Sequence, residues 1–180
     1  MTMTSKTSKI PKIPQKIKKI KIEFLSHKPL ETYQFGGFLI DLLKMESVFN
    51  RSEAQIISLI GNLGAGKTEL MKGIAQKLKL KDRITSPTFV IMKQFKIPRQ
   101  QRFNNFKYLW HIDIYRLQSF SELESLGFKE LTADKSNLIF IEWGDKIKKY
   151  LPKNTWQIKF KIINKNTRLL QLDYEKSFIN

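Results

Sequence analysis

The chain has 180 residues, an apolar fraction of 41%, no cysteine and a formal net charge of +17. That length and apolar content allow one domain with a sizeable core and exclude a wholly disordered chain, while the lack of cysteine excludes disulfides and thiolate metal sites. No apolar run is as long as a membrane span and the basic N-terminus lacks the apolar segment of a secretory signal, so a cytoplasmic chain without membrane contact is expected.

Residues 1–16 are rich in Lys, Thr, Ser and Pro without apolar periodicity, and read as a basic, disordered tail ahead of a single domain over 17–180. Ile20, Ile22 and Phe24 alternate with Lys21 and Glu23, the period of a half-buried strand. Phe35, Phe38, Leu39 and Leu42 fall on one face of a helix expected to start near Pro29. The run Ile56-Ile57-Ser58-Leu59-Ile60 reads as a buried strand, and Leu70, Met71, Ile74, Ala75 and Leu78 mark one face of a helix that ends near 80–82.

Between that strand and that helix lies Gly61-Asn62-Leu63-Gly64-Ala65-Gly66-Lys67-Thr68. It fits G-x-x-x-x-G-K-[ST], the phosphate-binding loop of the P-loop NTPases, and it has the strand–turn–helix context that the motif requires. Glycine lets the backbone bend sharply and approach a ligand closely. The N–H groups of Asn62, Leu63, Gly64, Ala65, Gly66, Lys67, Thr68 and Glu69 then belong to a loop and helix N-terminus that favour an anion. Lys67 is expected to reach the β- and γ-phosphates, and the Thr68 hydroxyl to ligate Mg2+.

Residues 84–91 read as an irregular turn, with Pro87 extending Ser86, that becomes a strand. Residues 93–107 carry Lys93, Lys96, Arg99, Arg102 and Lys107 and no acid, and read as an exposed loop. Trp110, Ile112 and Ile114 then alternate with His111, Asp113 and Tyr115 in a strand with one apolar and one polar face. Ser119 and Glu122 have the spacing of a capping box, Leu123 and Leu126 form the buried side of a short helix, and Gly127 is its C-terminal cap. Leu138-Ile139-Phe140-Ile141 reads as a central strand, and 156–163 and 168–174 as a hairpin joined by Asn164-Lys165-Asn166-Thr167. The expected fold is α/β: a P-loop NTPase with a mostly parallel central sheet flanked by helices and a C-terminal β-hairpin.

Such a site needs carboxylates beyond the strand ends. Glu142 follows four apolar residues in the manner of a Walker-B acid, and is assigned to Mg2+ together with Thr68. Asp113 is a second catalytic candidate, as a water-positioning group, a base, or support for the metal; spacing alone equally allows a strand-end acid paired with Arg116. His111 reads as a hydrogen-bonded structural histidine.

The segments Gly61 to Thr68, Ser86-Pro87-Thr88-Phe89, His111-Ile112-Asp113-Ile114-Tyr115-Arg116-Leu117, Leu126-Gly127 and Ile141-Glu142-Trp143 occur in this order. Together they resemble the bacterial TsaE family, also called YjeE, over about 24–152. The resemblance implies an ATPase with Mg2+ and ATP as cofactors and TsaB and TsaD as partners. It places the chain in threonylcarbamoyladenosine modification of tRNA, where hydrolysis resets the complex between rounds. It also implies that Ser86 and Thr88 lie in a switch-like segment, that the family's Asp and Glu correspond to Asp113 and Glu142, and that Thr32 lies near the nucleotide base. Three features depart from the family pattern: Asn62 in place of Asp, the basic segment 93–107, and the basic tail.

Two other readings remain open in the residues. One is a small-molecule or nucleoside kinase on the same loop, although only Arg99 and Arg102 lie in a segment suited to a lid. The other is a nucleic-acid-binding module that keeps the loop as a relic. The charge excess either engages tRNA phosphates through the tail and 93–107, with Phe103, Phe106 and Tyr108 stacking on bases, or is compositional lysine with those aromatics serving as anchors.

Overall fold

A computed structural model describes residues 16–46, 52–87 and 89–178. The expectations for residues 1–15 and for Thr88 lie outside the described residues. Among the described residues seven strands form one sheet: β1 (Lys16–Ser26), β2 (Gln55–Ile60), β3 (Met92–Lys96), β4 (Tyr108–Asp113), β5 (Asn137–Glu142), β6 (Trp156–Ile162) and β7 (Arg168–Phe178). The helices among the described residues are α1 (Pro29–Met45), α2 (Lys67–Lys77), α3 (Phe120–Ser125) and α4 (Phe128–Ala133). Short 3-10 segments occupy Arg99–Gln101 and Gly144–Tyr150.

The sheet order is β1-β7-β6-β2-β5-β4-β3. The inner strands β6, β2, β5 and β4 run parallel, while β1, β7 and β3 pair antiparallel at the margins. β6 and β7 form the expected C-terminal hairpin. β2 and β5 are buried on both faces, which explains the continuous apolar run 138–141 and the run 56–60 broken only by the buried Ser58. One core lies under α1 and α2, and includes Leu39, Leu70, Ile57, Leu138 and Phe140. The other lies under α3 and α4, and includes Leu123, Phe128, Ile56, Ile139 and Ile141.

Helices α1 and α2 cross at glycines. A Cβ on Gly73 would overlap the Tyr33 carbonyl, and one on Gly36 would overlap that of Leu70. Backbone meets backbone at this crossing, so α1 is held close to the loop that starts α2.

Four local readings need correction. The strand expected within 84–91 begins only at Met92. Ile91 takes a φ of 62°, and Val90 and Ile91 donate N–H bonds back to the Pro87 carbonyl, so this apolar stretch is a turn. Phe89 and Val90 are consequently exposed. Second, 93–107 is not a plain loop: its first residues are the edge strand β3, and Phe95, Ile97 and Phe106 are buried. Third, Leu126 is exposed; the chain turns at Gly127, whose φ of 81° ends α3 and opens α4, a helix absent from the sequence reading. Fourth, α2 ends at Lys77, before the 80–82 expected.

Candidate nucleotide site

The loop between β2 and α2 leaves the sheet at its carboxyl end. Gly64 and Gly66 have φ values of 74° and 104°, and Gly66 stands at the N-cap of α2. This left-handed backbone is strained for any residue with a Cβ. It brings the loop to the N-terminus of α2, where unpaired N–H groups favour an anion, while the Ala65 N–H is held by the Asn62 carbonyl at 3.2 Å. Asn62, Leu63 and Gly64 are exposed and Ala65 is buried beneath them.

Lys67 is only 4% exposed. Its Nζ donates to the carbonyls of Gly61 at 2.7 Å and Asn62 at 3.0 Å, and lies 4.3 Å from the centroid of the Trp143 ring. Burial lowers its pKa, and the negative charges of Glu142, Asp113 and Asp145 oppose that shift. The ammonium therefore sits among carboxylates at the mouth of the loop.

The register of β4 on β5 pairs Asp113 with Glu142 and His111 with Phe140. Leu109, Leu138 and Phe140 belong to the core beneath α1 and α2. Residues two apart on a strand share a face. His111, Asp113 and Glu142 therefore lie on the α2 side of the sheet, at the end where the loop sits. All three are buried.

Glu142 is the hub. Its Oε1 accepts from Thr68 Oγ1 at 3.3 Å and lies 2.9 Å from His111 Nε2. Asp113 Oδ2 accepts from Ser86 Oγ at 2.9 Å, and its Oδ1 accepts the Tyr115 N–H at 3.0 Å. Ser86 thus reaches the same strand end as the acids. Arg116, the alternative partner of Asp113, has its guanidinium 4.3 Å from the centroid of the exposed Phe89 ring.

Thr32 is buried, and a Cβ on Gly66 would come 3.4 Å from its Cγ2. It packs against the loop while its hydroxyl shares a 2.8 Å bond with Ser26 Oγ. Glu69 stands in the first turn of α2 with its carboxylate paired to Lys72 at 2.9 Å. Its side chain thus turns to the helix surface, leaving the backbone as its contribution to the loop.

Sequence reasoning gave Trp143 no role. It stands in left-handed conformation with φ 65°, its N–H donates to the Leu59 carbonyl at 2.9 Å, and its ring supports Lys67. The signal was available: a bulky aromatic directly after the strand-end acid. The contact of His111 with Glu142 was also missed, although its spacing from Asp113 put both on one strand face.

The donor set fits a magnesium–nucleotide. Among the described residues no group of three or more His, Cys, Asp or Glu could hold a metal by itself. Thr68 and Glu142 instead offer two oxygens side by side. Mg2+ bound to a nucleotide draws its other ligands from phosphate and water, so few protein oxygens suffice.

A Gly-rich loop opening a helix on a parallel sheet, with a lysine and a strand-end acid converging on it, defines a P-loop nucleotide-binding protein. The family model for Threonylcarbamoyl adenosine biosynthesis protein TsaE matches residues 26–170. The chain belongs to the TsaE family. It is 36% identical over 127 residues to the tRNA threonylcarbamoyladenosine biosynthesis protein TsaE of Rickettsia prowazekii, covering 70% of this chain and 82% of that protein. With the protein of that name from Borreliella burgdorferi it shares 35% over 120 residues, 66% of this chain and 81% of the other. The Bacillus subtilis protein of that name is 32% identical over 120 residues, 67% of this chain and 69% of the other. The crystal structure of Bacillus subtilis YdiB has the same fold, with a TM-score of 0.65 over 87% of both chains at 23% identity.

Proposed function

We propose that this chain is an ATPase that binds and hydrolyses Mg-ATP to cycle a TsaB–TsaD complex during threonylcarbamoyladenosine modification of tRNA. The observation that carries the reading is the convergence of Thr68 and His111 on one oxygen of Glu142 beside the Lys67 loop. A loop kept only as a relic has no need of that pairing.

In this reading the loop N–H groups and Lys67 hold the phosphates and offset the charge that develops on transfer. Thr68 and Glu142 hold Mg2+, which supplies Lewis-acid stabilisation when bound. Asp113, tied to Ser86, orients the attacking water or accepts its proton. Ser86 couples the switch-like segment to that acid, so a change at the phosphates is felt beyond the site. The work is assigned to a single domain over 17–180 in the cytoplasm. Among the described residues no helix is long and apolar enough to cross a membrane.

The sequence offers no clear arginine finger in cis, and such groups contribute roughly 10³–10⁵ in rate in related NTPases. The isolated chain is therefore expected to hydrolyse ATP slowly and to be stimulated by TsaB and TsaD together. The test is phosphate release with and without both partners, alongside assay of the modified nucleoside in tRNA. Turnover that is fast alone and indifferent to partners overturns the reading. ATP consumption only with a small-molecule acceptor would establish a kinase instead.

A further inference from the structure

We propose that the end of the sheet remote from the phosphate loop is a surface for the phosphate backbone of RNA. The fold brings three separate segments to that end. α2 starts in the loop and runs away from it, and α1 starts beside the loop, where Thr32 meets Gly66, and runs the same way. β3 is antiparallel to β4, so the connection from Lys96 to Tyr108 also turns at the far end. Asn104 ties these pieces together by donating from Nδ2 to the Leu43 carbonyl in the last turn of α1 at 2.8 Å.

This end is cationic. Lys44 and Lys79 stand at the helix ends, and Lys96, Arg99, Arg102 and Lys107 on the hairpin. Among the described residues none of the six is in an ion pair; the pairs that form use other lysines, His111 and carboxylates elsewhere. No carboxylate among the described residues pairs with them directly, which leaves them available to a polyanion. β1 is parallel to β2 through β7 and β6, so Lys16 also lies at this end.

The surface is held in place from beneath. Phe95, Ile97 and Phe106 are buried. Phe103 meets Phe106 edge-on at 5.2 Å, and Lys44 Nζ lies 5.6 Å from the Phe103 ring centroid. The expectation that Phe106 stacks on bases is therefore corrected: it is an anchor. Two consequences select the ligand. Phe95, Ile97 and Phe106 are turned inward, so the hairpin withholds the apolar side chains that membrane-surface binding inserts, and Met45 at the end of α1 is exposed beside it. With Phe106 turned inward and Phe103 packed on it, the six cations dominate the surface, and their contacts with phosphates are independent of sequence and steep in salt.

The choice of RNA among polynucleotides rests on the proposed role in tRNA modification; the surface itself does not. The experiment is binding of labelled tRNA to the full chain over a salt series. It is compared with a Lys96→Gln, Arg99→Gln, Lys107→Gln triple variant and with Lys67→Ala. These three cations are exposed and form no ion pairs among the described residues, so the triple variant should keep its thermal midpoint and its basal ATP turnover. Its tRNA affinity should fall, and the slope of log K against log salt should flatten by about 0.7–0.9 for each phosphate no longer neutralised. Lys67→Ala should bind tRNA as wild type does, because its change lies at the other end. Unchanged affinity and slope in the triple variant overturn the surface, whether or not the ATPase reading survives. Binding to phosphatidylserine–phosphatidylcholine vesicles but not to tRNA overturns it in favour of a lipid surface. Conversely, tRNA binding that depends on these cations in a chain with no ATP turnover sustains the surface and removes the ATPase reading.

Discussion

His111 Nε2 lies 2.9 Å from Oε1 of Glu142, and neither side chain is open to solvent. The other ring nitrogen, Nδ1, is buried with no hydrogen-bond partner among the described residues. A carboxylate oxygen only accepts, so the ring nitrogen that faces it, Nε2, is the donor, and Nδ1 is left without a partner. An unpaired buried group costs free energy. That cost is tolerated here beside the strand-end acid, whose orientation the ring fixes.

Replacing His111 with Phe keeps a ring of similar bulk and removes the donor. Metal affinity in the presence of nucleotide should weaken by about 10–100-fold, the usual effect of removing a group that hydrogen-bonds to a metal ligand. Metal-free nucleotide affinity should be unchanged, since the loop is untouched. His111→Gln, which can donate an amide N–H, should recover most of the metal affinity. Manganese binding followed by electron paramagnetic resonance gives a readout separate from turnover; wild-type metal affinity in the Phe variant would show that Glu142 is held by other means.

Lys67→Ala and Thr68→Ala should each abolish ATP turnover, but they should differ in the resting protein. Thr68→Ala removes one 3.3 Å bond to Glu142 and should leave the loop intact. Lys67→Ala removes both bonds to the loop carbonyls and the ammonium over Trp143. A Lys67 that faced only the ligand would matter little to packing, but these bonds make it part of the loop's own structure. Its removal should alter tryptophan fluorescence and lower the thermal midpoint. A turnover assay paired with emission spectra checks both; wild-type hydrolysis in either variant contradicts the loop assignment.

Glu142→Gln should reduce Mg2+-dependent hydrolysis and retain nucleotide binding, because most phosphate interactions come from the loop. Asp113→Asn should lower hydrolysis by a similar or larger factor. Single-turnover hydrolysis and equilibrium binding of a fluorescent ATP analogue separate the two effects. Unchanged rates in both variants would mean that metal and water are held elsewhere.

Gly73→Ala should be costly and Gly37→Ala should not. The added methyl at Gly73 would overlap the Tyr33 carbonyl, whereas at Gly37 the nearest atom is Lys77 Cδ at 3.9 Å. Overpacking of this kind costs about 1–3 kcal/mol, and moving α1 would draw Thr32 off the loop, so nucleotide affinity should fall as well. At Gly37 a helix-compatible alanine should stabilise by about 0.4–1 kcal/mol. Chemical denaturation of both variants tests the crossing; equal stabilities would show that α1 and α2 adjust without strain.

The phosphate loop was legible because its residues are fixed by spacing along one segment, and Glu142 because an apolar run announces its strand. What escaped depended on neighbours distant in sequence or on backbone geometry. His111 meets Glu142 across adjacent strands. Phe89 and Val90 look like strand residues, yet the bonds from Val90 and Ile91 to the Pro87 carbonyl make them a turn. Gly127 signals the end of one helix, but a glycine in left-handed conformation serves equally to begin the next. On the hairpin the cations concealed the period of Phe95, Ile97 and Phe106, which pack in a core assembled from distant elements.

Lys67 spends its hydrogen bonds on the carbonyls of its own loop. Two of the three ammonium protons are engaged by those carbonyls, so a phosphate that takes more than the third must displace a bond to the backbone. The protein thereby supplies an internal rival to its ligand. Such a rival keeps the loop shaped between occupants and subtracts from net affinity, because only the difference between the two sets of interactions favours the bound form. It also gives departure a ready destination: as product loosens, the ammonium can fall back on Gly61 and Asn62 without facing an unpaired interior. The cradle thus opposes tight retention of an anion while keeping its own shape when empty.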